Sequence, residues 1–183
     1  MAELAERQWG NVTTRQLRRC GLSSAAIARW AARGTLRPVH RGVYAVGHRS
    51  PAPEAWWAAA LLACGRTATV GHASAAALRG LPLDDGSVVH VIVGDRARAR
   101  ADIVVHAASL ERGEASKVRG LRATSLPRTL LDLAAAGHRV DRLLDDAVAR
   151  RLVSLPTLRA YVERKEGAAG VAALRPRVTT SLR

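Results

Sequence analysis

Phenylalanine is absent from this 183-residue chain, methionine occurs once, and four Trp and two Tyr bring the aromatics to only 3%. A core built on aromatic packing is therefore excluded. The 48% apolar content is carried mainly by Ala, Leu and Val, and Ala and Leu favour helices. Cysteine is also scarce. Cys20 and Cys64 lie far apart and suggest no disulfide framework, and both read as small buried or half-buried thiols in a reducing compartment. Long apolar runs are missing: the longest, Ala55 to Cys64, is ten residues, too short to span a bilayer. The opening Met-Ala-Glu lacks the basic-then-apolar pattern of a secretory signal. A cytoplasmic protein without membrane association is expected.

Acidic residues are in short supply as well. Fifteen Asp and Glu face 29 Lys and Arg, for a net charge of +14. Residues 1–50 hold nine Arg against Glu3 and Glu6, a net of +7, while residues 51–183 hold twenty basic and thirteen acidic residues, also +7. Half the excess charge thus sits in little more than a quarter of the chain. Such a block suits a surface that neutralises phosphates and releases their counterions.

The same N-terminal block carries a regular sequence of structural signals. A helix is expected over Ala2–Gln8, broken by Gly10-Asn11. Thr13 or Thr14 can cap a short helix, Arg15–Cys20, that stops at Gly21. Ser23 caps a third helix running to Arg33, in which Ile27, Trp30 and Ala31 recur at helical spacing on one face. Leu36–Val39 and Val43–Val46, joined by His40-Arg41-Gly42, read as a basic hairpin, with Pro38 tolerable on an edge strand. Three short helices followed by a hairpin make a winged helix-turn-helix, assigned to residues 1–50.

Ser50-Pro51-Ala52-Pro53 reads as a linker. Beyond it, residues 51–166 are expected to form a mixed, helix-rich α/β domain. Helices are expected at Glu54–Gly65, Ala73–Leu78 (capped by His72 or an upstream polar group), Pro127–Ala136, Asp141–Arg151 and Leu155–Glu166. Strands are expected at Thr67–Val70, Val88–Val93, Ile103–His106 and Leu121–Thr124, with Asp95–Arg100 a charged loop. Residues 167–183 read as a basic, flexible tail. The fold class is α+β.

In a helix-turn-helix the second helix of the pair enters the major groove. With Ile27, Trp30 and Ala31 facing the core, Ser24, Ala25, Ala28 and Arg29 point outward, and Arg29 is long enough to grip a guanine with two hydrogen bonds. Ser23 lies at the start of that helix. Thr13, Thr14 and Arg15 open the preceding one, where phosphates are held by backbone N–H groups. Arg37, His40 and Arg41 lie on the wing. Double-stranded DNA is the expected partner, bound by two copies if the operator is an inverted repeat.

Catalytic signatures are missing. The histidines and cysteines show no metal-ligand spacing, and neither a metal nor another cofactor is expected. Asp145-Asp146 are adjacent and do not share a helix face, and Asp84-Asp85-Gly86 suits a turn. Gly86-Ser87 with Asp95 lacks the paired carboxylates of two-metal phosphoryl chemistry. No phosphate loop, nucleophile elbow or HExxH is present, so an enzyme is not expected.

The stretch Gly10–Gly47 resembles the N-terminal domain of AbiEi-type antitoxins, through Thr-Thr-Arg-Gln-Leu, Gly-Leu-Ser and the wing Leu36 to Tyr44. Gly71–Ala76 and Gly120–Ala134 are similar to parts of that family's second domain, so the likeness covers most of residues 3–175. The resemblance implies a type IV toxin–antitoxin regulator whose winged helix represses its own promoter. Its second domain would counteract a toxin encoded by an adjacent gene. Some relatives continue into a nuclease-like domain, and this chain stops about where that domain would begin. Two other readings stay open at this point: a non-enzymatic protein-interaction module, and a truncated remnant of a nuclease-containing relative.

Overall fold

The structure, a computed structural model, describes residues 1–83, 88–94 and 102–179. Asp84-Asp85-Gly86, Gly86-Ser87 and the loop Asp95–Arg100 lie outside the described residues.

The chain opens with α1 (Ala2–Glu6), β1 (Asn11–Thr13), α2 (Thr14–Arg19), α3 (Ser24–Ala32), β2 (Leu36–His40) and β3 (Val43–Val46). Thr13 settles where α2 begins: its Oγ1 accepts from the Gln16 amide at 3.2 Å while Gln16 Oε1 accepts from the Thr13 amide at 2.8 Å. This reciprocal capping box satisfies two backbone donors that the first helical turn leaves without partners. Ser23 caps α3 with a single bond, its hydroxyl accepting from the Ala26 amide. β1, Asn11–Thr13, was not expected as a strand. It pairs antiparallel with β3, giving the order β1-β3-β2 and leaving Pro38 on the edge strand. Ala5, Val12, Leu17, Ile27 and Leu36 form the core between these helices and the sheet, with Trp30 and Ala31 packed at its margin. Cys20 is exposed rather than buried.

Next come α4 (Pro53–Cys64), β4 (Thr69–Val70), α5 (His72–Leu78), β5 (Val89–Val93), β6 (Ile103–Ala107), β7 (Ala115–Val118) and β8 (Leu121–Thr124). Among the described residues these strands form a mixed sheet of order β6-β5-β4-β8-β7, with β5/β6 and β4/β8 parallel. β7 was missed in the sequence because Ala-Ser-Lys-Val has little strand character; it is held as the antiparallel partner of β8. α5 begins at His72, so His72 does not cap it, and Gly71 occupies the cap position without a side-chain bond.

α4 is apolar around most of its circumference: Ala55, Trp57, Ala58, Ala59 and Ala60 are all buried. A helix of that kind needs cover on more than one side. It packs against all three strands of the N-terminal sheet and against β4, β5 and β8 of the second sheet. Asn11 Nδ2 donates to the Ala55 carbonyl at 2.9 Å, and Trp9 packs into the apolar cluster that contains Trp57 and Ala58.

The chain ends in α6 (Leu126–Ala135), α7 (Asp141–Ala149), α8 (Leu155–Arg164) and α9 (Val171–Thr179). α9 corrects the expectation of a flexible tail over Val171–Thr179; residues 180–183 lie outside the described residues. Val171, Leu174 and Val178 are buried in the cluster shared with Leu130, Leu133, Leu158 and Val162. Their spacing is helical, although the basic residues and Pro176 between them obscure it. Gly170, at φ +87°, allows the close approach: a Cβ there would lie 2.6 Å from the Leu131 carbonyl oxygen and 2.7 Å from the Ala135 nitrogen of α6. Arg159 Nε secures the end of α9 by donating to the Val178 carbonyl at 2.9 Å.

Candidate nucleic-acid interface

The basic N-terminal module holds α2, α3 and the wing against one another through specific bonds. The turn between α2 and α3 closes at Gly21, where φ is +88°, and the Leu22 amide donates to the Leu17 carbonyl at 3.1 Å. The wing turn Arg41-Gly42 is tied to the start of α2: the Thr14 amide and hydroxyl both donate to the Gly42 carbonyl, at 2.9 and 3.4 Å. The residues expected at the DNA therefore fall into two groups.

Arg15, Ser24, Ala25, Ala28, Arg29 and Arg41 are exposed. Ala25, Ala28 and Arg29 stand exposed on α3 away from the buried Ile27, and Ser24 is exposed in its first turn. Arg15 lies in the first turn of α2, beside the Thr14–Gly42 link that brings the Arg41 turn close. The second group is engaged structurally. The Thr13 and Ser23 hydroxyls cap helices, and Thr14 holds the wing turn. Arg37 Nε donates to the Gly47 carbonyl at 2.9 Å. His40 is half-buried and lines a small cleft of about 60 Å³ with Asn11, Val39, Arg49 and Trp56. It flanks the wing turn, paired with Val43, but it borders this cleft beside Ala55 and Trp56 of α4.

Two arginines were overlooked in the sequence. Arg18, on α2, donates through Nη2 to the Ser24 hydroxyl and so places a guanidinium at the first turn of α3. Arg49 donates to the Pro38 carbonyl and braces the edge strand of the wing. No local signal in the sequence reveals either contact. A cap at Thr13 or Thr14, by contrast, was legible, and the structure takes Thr13, with Gln16 completing the box.

Beyond the basic module the chain holds a buried polar cluster. Glu114, 3% exposed, accepts from Tyr161 Oη at 2.6 Å and Lys165 Nζ at 2.9 Å on Oε1, and from Arg128 at 2.7 Å and the Glu111 amide at 2.9 Å on Oε2. Burial alone would raise its pKa, but the Lys165 and Tyr161 hydrogen bonds, the Glu111 amide and the Arg128 charge together bring it down to about 2. Arg128 also binds Asp132 Oδ1 at 2.8 Å. Burial raises the Asp132 carboxyl even against that guanidinium, and its Oδ2 has no hydrogen-bond partner. Beside this cluster His72, His90 and His106 stack, with 3.6 Å between the ring centroids of His72 and His106. Among the described residues no group of three or more His, Cys, Asp or Glu is arranged to hold a metal ion. No helix among them is long and apolar enough to cross a membrane.

Residues 1–47 match the family described as "Transcriptional regulator, AbiEi antitoxin". The match covers the capped α2–α3 pair and the wing, and it supports a DNA-binding regulatory role for the module they form. It ends before α4, so the likeness read at Gly71–Ala76 and Gly120–Ala134 lies beyond it. No curated protein matches the chain.

Proposed function

We propose, from the similarity of residues 1–47 to AbiEi regulators, that this protein is a non-enzymatic transcriptional repressor of its own promoter, acting as the antitoxin of a type IV system. The observation that carries the reading is the outward side of α3. Ser24, Ala25, Ala28 and Arg29 stand exposed there, with Arg18 at its first turn and Arg15 and Arg41 across the α2–wing link. A helix enters the major groove with such residues toward base edges, while flanking arginines meet phosphates. The contact set is Thr13, Thr14, Arg15, Ser23, Ser24, Ala25, Ala28, Arg29, Arg37, His40 and Arg41, extended by Arg18. Thr13, Thr14 and Ser23 would contribute mainly backbone N–H groups, because their hydroxyls are already engaged. The non-enzymatic reading draws support from Glu114 and Arg128, whose charges are committed to one another and to Tyr161, Lys165 and Asp132. The site of action is the cytoplasm, and residues 51–166 would meet the toxin encoded by an adjacent gene.

A gel-shift titration against the upstream promoter tests this reading. Binding should weaken steeply with salt, as phosphate neutralisation requires. Arg29→Ala should relax sequence preference, whereas Arg41→Ala should weaken binding across all sequences and lower the salt slope by about 1. Absent or salt-insensitive binding to every DNA refutes the proposal. Co-purification with the product of the neighbouring gene tests the antitoxin part separately.

A further inference from the structure

We propose that His72, His90 and His106 form a proton-operated lock that fastens α5 to the β5–β6 edge of the five-stranded sheet and lets go under mild acid. The three imidazoles come from three elements. His90 stands on β5 and His106 on β6, which is the last strand of the sheet and pairs with β5 in the order β6-β5-β4-β8-β7. His72 opens α5 at φ +49°, a left-handed backbone that a side chain other than Gly or Asn adopts at a cost. Gly71, just before it, lies so close to β5 that a Cβ would meet the Ile92 side chain at 2.8 Å. This tight exit from β4 delivers the His72 ring onto His106, with the planes 13° apart and the centroids 3.6 Å apart.

The stack holds together only while protons are few. His90 Nδ1 and His106 Nε2 are 2.9 Å apart, a hydrogen bond in which one nitrogen donates and the other must offer a lone pair. With both rings protonated, two N–H groups would face each other. Burial of His72, and the charges of His106, His90, Arg128 and His138 around it, hold its pKa down to about 3. Burial and His90 lower His106 likewise. Among the described residues, the groups facing His72 are thus His90 from β5, His106 from β6, Arg128 from α6 and His138 beyond it. The nearby carboxylates Glu114 and Asp132 are bound to Arg128. Within α5, the Ser74 hydroxyl accepts from the His90 amide at 3.0 Å.

The sign follows from linkage. A histidine whose folded pKa lies below its unfolded value of 6.5 stabilises the fold fully above pH 6.5 and loses that contribution as pH falls toward the folded value. Each proton that only the opened state can bind raises the opening constant about tenfold per pH unit below 6.5.

Amide hydrogen exchange on the full chain at pH 7.5 and pH 5.5, corrected for intrinsic exchange, reads this directly. Protection of Val89–Val93 and Ile103–Ala107 should fall at least tenfold, while the N-terminal sheet, Asn11–Thr13 and Val43–Val46, stays unchanged. His72→Phe keeps a ring in the stack but removes one of its titrating groups, and should weaken the acid response. Equal loosening of both sheets, or none, overturns the proposal. Should His72→Phe fail to fold, an NMR titration of the wild-type imidazoles decides. One ring that takes up no proton above pH 4 supports the lock, and three independent titrations near pH 6.5 refute it.

Discussion

Replacing Glu114 by Gln isolates a buried electrostatic arrangement. The carboxylate accepts from Tyr161 and Lys165 on one oxygen and from Arg128 and the Glu111 amide on the other. A carboxamide still has one acceptor oxygen, but its NH2 must face either Lys165 with Tyr161 or Arg128 with the Glu111 amide, so donors confront donors. Two routes give the cost. The pKa is held at about 2 against an ordinary 4.5, which corresponds to about 3 kcal/mol at about 1.4 kcal/mol per unit. Removing one partner from a buried ion pair costs about 3–5 kcal/mol. For a chain of this length, 3 kcal/mol lowers Tm by roughly 6–12 °C. The pH dependence adds an independent check. Because the folded pKa is depressed, this stabilisation is complete above pH 4.5 and is lost as pH falls toward 2. The gap between wild-type and E114Q stability, followed by circular dichroism in urea, should therefore shrink across that window. A Tm loss under about 2 °C at pH 7, or a gap that stays constant from pH 7 to pH 3, would refute the reasoning.

Three further outcomes are expected. Asn11→Ala removes the bond to the Ala55 carbonyl and those to the Trp9 and Gln8 carbonyls, and should cost about 1–3 kcal/mol in urea unfolding. Thr13→Ala breaks the capping box of α2 and should cost about 1 kcal/mol, with DNA affinity falling as that helix frays. Gly170→Ala forces a Cβ onto α6 at a left-handed position and should cost at least about 1–3 kcal/mol; limited proteolysis should then release the segment beyond it, and an intact α9 would contradict the packing described.

The parts of the fold that could be read from sequence are those fixed by neighbouring residues. Thr13 and Ser23 announce their helices through capping chemistry, Ile27 marks the inner face of α3, and Arg41-Gly42 marks the wing turn. What escaped depends on distant partners. β1 and β7 are short and become strands because β3 and β8 supply hydrogen bonds. α9 is ordered by α6 across Gly170, a contact invisible in its own basic sequence. The same distinction holds at the candidate interface. The outward positions of α3 followed from helical spacing, whereas the half-burial of His40 required α4, and the Arg18–Ser24 contact required the α2–α3 turn. The three histidines lie 16 or more residues apart in sequence, so no local spacing rule could group them.

The position of α4 has a consequence for how such a chain can be rebuilt or recombined. One helix serves as the back wall of the N-terminal sheet and as a cover for the second, so the two units do not meet across a replaceable seam. A graft that carries residues 1–47 onto another protein takes Trp9 and the Asn11 side chain away from the surfaces that receive them. Exchange of parts at this junction therefore has to move α4 along with the wing, or supply a helix of equally small residues in its place.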